Sequence, residues 1–230
     1  MLYIVGTPIG NLEDISLRAL RILGEVDFIL CEDTRVTKKL LSHYKINTKT
    51  ISYHQHSKEN KIDYILKLLE EGRDLALVTD AGTPGISDPG GKLVQAVLKI
   101  PHPDPLLNKE REKIKIESVP GPSAVTAALS ISGIPTDKFL FMGFPPHKKG
   151  RQTFIKKISE SEFPVVVYES KHRIIKFLEQ LKTAGLQTVV VCRELSKMHE
   201  TVYRGDVKNI ISKIKEDVNA QKGEFVVIIA

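Results

Sequence analysis

Cysteine is nearly missing from this chain: Cys31 and Cys192 are the two in 230 residues. Both fall in strand-like runs far apart in sequence, which provides no disulfide framework and no zinc cluster and reads as two buried thiols. No metal site is expected. Long apolar runs are missing too, and nothing approaches the ~20 residues that a membrane span needs, so no membrane partner is expected. The opening run at 2–5 lacks the basic start and apolar core of a secretory signal, and the expected location is the cytoplasm. Familiar nucleotide signatures are absent as well. The first glycine turn, 6–11, sets Gly6 and Gly10 around Pro8, and it matches neither the Gly-Lys-Ser/Thr close of a P-loop nor G-x-G-x-x-G.

What is present is a globular composition, 41% hydrophobic and 27% charged, with 15 Gly and 12 Pro as punctuation. A chain of this length can bury roughly 70% of the surface it exposes unfolded, so disorder is excluded as its overall state. The formal charge of +6 is a weak pointer. Basic residues nevertheless gather at Lys148, Lys149, Arg151, Lys156 and Lys157, and again at Lys171, His172 and Arg173. Such clusters suit either a polyanionic backbone or ordinary solvated helix faces.

Short β-branched runs alternate with helical patterns along the whole chain. Strands are expected at 3–5, 28–31, 48–52, 75–79 and 114–119, with helices near 16–23, 37–43, 59–69 and 90–98. This alternation predicts an α/β domain with a largely parallel sheet. The second half repeats the style, with strands at 139–142, 165–168, 188–192, 200–203 and 225–229 and helices at 152–159, 174–182 and 207–215. Two α/β domains, 1–118 and 119–230, joined near 117–120, are the economical partition; a single continuous sheet is the alternative. The segment 101–112, PHPDPLLNKERE, breaks the rhythm with three prolines in five residues and reads as a surface excursion.

Polar residues collect where strands end. Glu32, Asp33, Thr34 and Arg35 follow the second strand, where consecutive carboxylates can cap the next helix or serve a site. The turn at 6–11 is either ligand-facing or needed only for packing. The stretch 79–91, TDAGTPGISDPGG, is the most informative: small and helix-breaking residues let main-chain groups approach a ligand, and it carries no basic residue. That suits a cationic or neutral adenosyl ligand held by backbone groups and Asp80 better than a triphosphate. Pro120 to Ser123 places Pro122 in a first helical turn, with the Ser123 hydroxyl available there. Tyr168, Glu169 and Ser170 close another strand, and Arg193 and Glu194 one more. These clusters in both halves imply one cleft between the domains.

Several motifs now act together. GTPIGNLEDISLRAL at 6–20, CEDTR at 31–35, SYHQHS at 52–57, VTDAGTPGISDPG at 78–90, VPGPSA at 119–124, YESKHR at 168–173, VCREL at 191–195 and KGEF at 222–225 resemble the bacterial small-subunit ribosomal RNA methyltransferases of the tetrapyrrole-methylase-like class. The resemblance runs from residue 2 to the last residues in motif order. It implies a two-domain α/β homodimer that binds S-adenosylmethionine in the interdomain cleft and methylates the ribose 2′-hydroxyl of a cytidine in 16S ribosomal RNA, within the assembled small subunit. By motif, donor contacts fall on Pro8, Asp80, Ala81, Gly82, Thr83, Ile86, Ser123, Ala124, Tyr168 and Glu169. Gly6 and Gly85 depart from the residues usual in that family, and Gly85 is expected to loosen its turn.

Methyl transfer to a hydroxyl needs alignment and a group to take the proton. Glu32 and Glu169 are the leading base candidates, with Asp33 and His54 behind them. Arg35, Lys148, Lys149, Arg151, Lys171, His172 and Arg173 are the expected contacts to RNA. A tetrapyrrole methyltransferase, a noncatalytic nucleic-acid-binding module and a nicotinamide-dependent reductase are the competing readings.

Overall fold

The computed structural model describes residues 1–54, 57, 59–100 and 114–230. The 101–112 excursion, and Gln55 and His56 of the 52–57 motif, lie outside the described residues. The chain divides into two compact units, Met1–Pro122 and Ser123–Ala230, each with its own five-stranded sheet.

The first unit runs β1 (Leu2–Val5), a 3-10 turn at Leu12–Asp14, α1 (Leu17–Glu25), β2 (Phe28–Cys31), α2 (Thr34–His43), β3 (Lys49–Ser52), α3 (Glu59–Glu70), β4 (Leu75–Leu77), α4 (Gly91–Leu98) and β5 (Ile116–Val119). The strand order is β3-β2-β4-β1-β5, every pair parallel. Apolar residues line both faces because helices cover both. Leu75 and Leu77 of β4 turn toward Ile65, Leu69 and Leu93 of α3 and α4, whereas Ala76, with Val78 beyond the strand, joins Ala19, Ile22 and Leu23 of α1. Alternation along one strand thus feeds two cores. Helix starts follow the capping residues: the Ser16 hydroxyl accepts from the Ala19 amide, and Asp33 accepts from the Arg35 amide. The Asp33 cap is why α2 begins three residues before the helix expected from periodicity.

The second unit runs α5 (Ala124–Ser130), β6 (Leu140–Phe141), α6 (Arg151–Ser159), β7 (Val165–Ser170), α7 (Ile174–Thr183), β8 (Thr188–Arg193), β9 (Thr201–Asp206), α8 (Val207–Glu216) and β10 (Glu224–Ile229). Its order is β6-β7-β10-β8-β9, with β6 parallel to β7 and the other neighbours antiparallel. The last strand enters the middle of the sheet, where every residue from Phe225 to Ile229 is buried. Ile174, Phe177, Leu178 and Leu181 of α7 and Val207, Ile210, Ile211 and Ile214 of α8 pack on Val165, Val167, Val189, Val191 and Val227. The second unit therefore repeats the α/β composition of the first without its parallel sheet. Cys31 in β2 and Cys192 in β8 are both buried free thiols, and burial raises the Cys192 thiol to about 11.

Candidate active site

All five strands of the first sheet run the same way, so the segments after β1, β2, β4 and β5 emerge along one edge, where open parallel sheets place their ligands. The segments are cross-braced by main chain. Thr7 donates its N–H to the Gly82 carbonyl at 2.9 Å and accepts the Gly82 N–H at 3.1 Å. The Thr7 hydroxyl reaches the Thr79 carbonyl at 3.2 Å, and the Thr83 hydroxyl reaches the Pro122 carbonyl at 3.2 Å. Gly6 and Gly121 meet so closely that a Cβ on Gly6 would lie 2.8 Å from the Gly121 Cα. Both backbone groups of Gly82 are therefore committed to Thr7. That leaves less of the long turn's main chain for a ligand than its composition suggests, and gives the turn its stiffness instead.

Left-handed positions concentrate in that turn: Gly82 has φ +82°, Gly85 +85° and Gly90 +140°. Gly85 also donates its N–H to the Pro89 carbonyl at 3.2 Å. Contrary to expectation, glycine fits this turn rather than loosening it, because L side chains rarely tolerate such φ values. Pro8 is buried in the first turn, while Asp80, Ala81 and Ile86 are exposed and Thr83 is half-buried.

Three carboxyl groups with raised pKa lie within electrostatic reach of one another, Glu32 after β2 and Asp80 and Asp88 in the turn after β4. Burial pushes Glu32 up, with Asp80 adding to it and His54 opposing. Partial desolvation of its carboxyl raises Asp80 although the residue is exposed, against the Asp33 N–H that Asp80 accepts at 3.1 Å. Asp88 is lifted to about 6, by burial first and then by Glu32 and Asp80. Asp33 goes the other way, to about 2, because Arg35 holds it through Nη2 at 2.6 Å and Nε at 3.0 Å. Arg35, expected to fix a phosphate or a carboxylate, is engaged with the Asp33 carboxylate although its side chain is exposed. Asp88 was not among the expected site residues; the Ser-Asp-Pro-Gly sequence carries the signal but reads as a turn and helix start. Thr7, the bridge to Gly82, was likewise missed. Among the described residues, no group of three His, Cys, Asp or Glu is placed to hold a metal ion.

The second unit holds the remaining candidates. Ser123 caps α5 by position, yet its side chain accepts no cap hydrogen bond, and Pro122 stands before the helix instead of in its first turn. Ala124 is the first helical residue. Tyr168 and Glu169 lie inside β7, which extends to Ser170. The Glu169 side chain is fully buried, 2.8 Å from Arg173 and 3.6 Å from Arg151. Arg151 itself is 6% exposed. The expected cationic surface therefore loses Arg151 to the interior, has Arg173 part-buried against Glu169, and keeps Lys148, Lys149, Lys171 and His172, all exposed. His54, in the first unit, is exposed near Glu32, its N–H donated to Ser57 Oγ at 2.9 Å.

A stiffened loop set at the carboxyl edge of a parallel sheet, followed by a second α/β unit whose last strand enters the middle, is the architecture of one methylase class. The chain belongs to the tetrapyrrole (corrin/porphyrin) methylases, whose family model matches residues 1–211, and it is a methyltransferase of that family. More particular relatives share its length. The ribosomal RNA small subunit methyltransferase I of Hydrogenobaculum sp. (strain Y04AAS1) is 44% identical over 232 residues, covering 100% of this chain and 95% of that protein. The protein of the same name from Thermotoga maritima is 41% identical over 230 residues, with 100% and 97% covered. Among solved structures, the cobalamin biosynthetic enzyme cobalt precorrin-4 methyltransferase superposes with a TM-score of 0.68 at 21% identity, over 100% of this chain and 94% of that one. Diphthine synthase gives 0.70 at 14%, over 100% and 89%. The likeness to these two is one of fold.

Proposed function

We propose that the chain transfers a methyl group from S-adenosylmethionine to the ribose 2′-hydroxyl of a cytidine in 16S ribosomal RNA, acting as a homodimer on the assembled small subunit in the cytoplasm. The names of its full-length relatives support the RNA substrate. The observation that carries the chemistry is the placing of Glu32, Asp80 and Asp88 within electrostatic reach at the strand ends, each raised, while Arg35 is paired with Asp33.

These residues suit the donor: a long turn with two carboxylates and no Lys or Arg fits a cationic sulfonium better than a phosphate. When bound, S-adenosylmethionine supplies an electrophilic methyl group. Pro8, Asp80, Ala81, Gly82, Thr83 and Ile86 of the first unit and Ser123, Ala124 and Tyr168 of the second would hold it. Glu32 is the best base of the four candidates, since a raised carboxylate holds a proton more firmly once it has taken it. Asp33 is too acidic for that work, and His54 stands behind Glu32. Glu169 is enclosed by two guanidinium groups and is better fitted to holding structure than to moving a proton. Burial and the neighbouring Asp80 keep Glu32 basic, and the Asp33 N–H that Asp80 accepts keeps their two segments in register.

The test is to incubate unmodified small subunits with the chain and S-adenosylmethionine in chelator, then map methylated nucleosides by mass spectrometry. A single new 2′-O-methylcytidine is expected. Modification of a base alone, or methyl transfer only to a tetrapyrrole, overturns the reading.

A further inference from the structure

Between β6 and α6 runs the segment 143–150, GFPPHKKG, bounded by two left-handed glycines, Gly143 at φ 64° and Gly150 at φ 83°. It is held from beneath by one carboxylate acting through two arginines. Glu169 Oε1 forms an ion pair with Arg173 Nη2 at 2.8 Å while accepting the Ser170 N–H at 2.7 Å, and Oε2 faces Arg151 Nη2 at 3.6 Å. Each arginine then gives its Nη1 to the segment: Arg173 to the Pro145 carbonyl at 2.9 Å, Arg151 to the Pro146 carbonyl at 3.0 Å. Proline has no N–H, so its carbonyl is the one backbone handle each of these residues offers. Both handles are taken.

The two limbs differ. Arg173 Nη2 stands 2.8 Å from Glu169 Oε1, whereas Arg151 Nη2 and Glu169 Oε2 are buried without a hydrogen-bond partner and attract across 3.6 Å. A second bond, Arg151 Nε to Gln180 Oε1 at 2.7 Å, ties that limb to α7. Among the described residues, Glu169 is the carboxylate that pairs with both guanidiniums.

Above this clamp the segment presents its side chains. Phe144 is 53% exposed, with its ring 5.4 Å from that of Tyr168, which in turn lies 5.0 Å from Phe141. His147, Lys148 and Lys149 are exposed beside it. An open aromatic face backed by another ring, with cations in the same segment, is the equipment by which proteins hold single-stranded nucleic acid: bases stack and phosphates are neutralised. Solvated lysines alone would need neither an exposed phenylalanine nor a buried brace.

We propose that 143–150 is an arm that grips an unpaired stretch of RNA, Phe144 receiving a base and Lys148 and Lys149 the neighbouring phosphates, and that Glu169 is a positioning residue that sets the arm through Arg151 and Arg173. The choice of partner rests on the reading of the substrate as RNA.

The probe is a fluorescein-labelled, unstructured oligoribonucleotide titrated with the full chain by anisotropy, next to a duplex of equal length. Phe144→Ala should weaken the single strand at least about fivefold with little change in salt dependence, and Phe144→Tyr should restore it. The double change Lys148→Ala and Lys149→Ala should lower the salt slope by about 1.4, two phosphates at ~0.7 each. Glu169→Gln should speed tryptic cleavage at Lys148 and Lys149 severalfold and weaken the same oligonucleotide. Wild-type affinity in Phe144→Ala overturns the arm, whether or not the chain methylates ribosomal subunits. Unchanged cleavage and affinity in a folded Glu169→Gln overturns the positioning role. Phe144-dependent binding by a chain that methylates no RNA leaves the arm standing and removes the function proposed above.

Discussion

Asp80 accepts the backbone N–H of Asp33 at 3.1 Å, which ties the end of β4 to the end of β2 through a side chain on one and main chain on the other. The bond holds a carboxylate beside Glu32 while leaving Asp33 free to take Arg35. Neighbouring acids with consecutive numbers, Glu32 and Asp33, are thereby driven in opposite directions, one raised and one lowered to about 2.

Glu32→Gln separates chemistry from binding. Removing the carboxylate should cut the single-turnover methylation rate at least ~10-fold, within the range of positioned acid–base help, while the thermal midpoint stays near that of the wild type. The base works deprotonated, so the wild-type rate should climb as pH rises through the raised Glu32 pKa and level off above it. A Glu32→Gln rate equal to wild type removes Glu32 from this role.

Asp88→Asn should stabilise the fold at neutral pH. The folded-state pKa of about 6 lies above the ordinary 3.8, so between those values the native state binds more protons than the unfolded chain, and wild-type stability falls as pH rises through that window. Below about 3.8 both states hold the proton and the variant has no advantage. At pH 8 the gain should be about 1–2 kcal/mol after allowance for solvent screening. Urea titrations of both proteins at pH 5 and pH 8 measure it, and a gain that does not grow with pH refutes this account.

Gly121→Ala should destabilise the first unit by about 1–3 kcal/mol, the usual range for overpacking, because its Cβ would sit 2.8 Å from the Gly6 carbonyl oxygen. Gly24→Ala is the control. It lies in α1 with nothing within 4 Å of an added Cβ, and should gain up to about 1 kcal/mol in helix propensity. Equal effects of the two changes would show that the contact between the glycines is not tight.

Glu169→Gln should cost about 3–5 kcal/mol in unfolding free energy, since it leaves two inward-facing guanidiniums without their anion. Chemical denaturation checks the value. A loss below about 1 kcal/mol would mean that the arginines re-pair or reach solvent at little cost.

Sequence alone delimits most elements because β-branched runs are cleanly bounded: the expected strand at 28–31 coincides with β2, and the final apolar run differs from β10 by one residue. Strand direction in the second unit is another matter. Val165 to Val167, Val189 to Val191 and Phe225 to Ile229 are covered on both faces, and such runs look the same whether their neighbours run parallel or antiparallel. The carboxyl edge of the first sheet is legible because its polar residues follow the strands directly. The Glu169 clamp is not, because Arg151 reaches it from 18 residues away in sequence and its charge reads as surface until its burial is seen. Asp88 hides for the opposite reason: its Pro-Gly neighbours announce a turn so clearly that the carboxyl looks incidental.

The placement of β1 has a consequence for how the chain is made. Leu2–Val5 leaves the ribosome well before both of its partners, β4 at Leu75–Leu77 and β5 at Ile116–Val119. At synthesis rates of about 5–20 residues per second, its second edge waits roughly 6–23 s for a mate. Both edges of this apolar strand stay open until β4 emerges and one edge until β5 does, so it is a segment in need of a chaperone's cover. A nascent chain arrested before β5 emerges should be captured by holdases through residues 2–5, and released once residue 122 has cleared the exit tunnel.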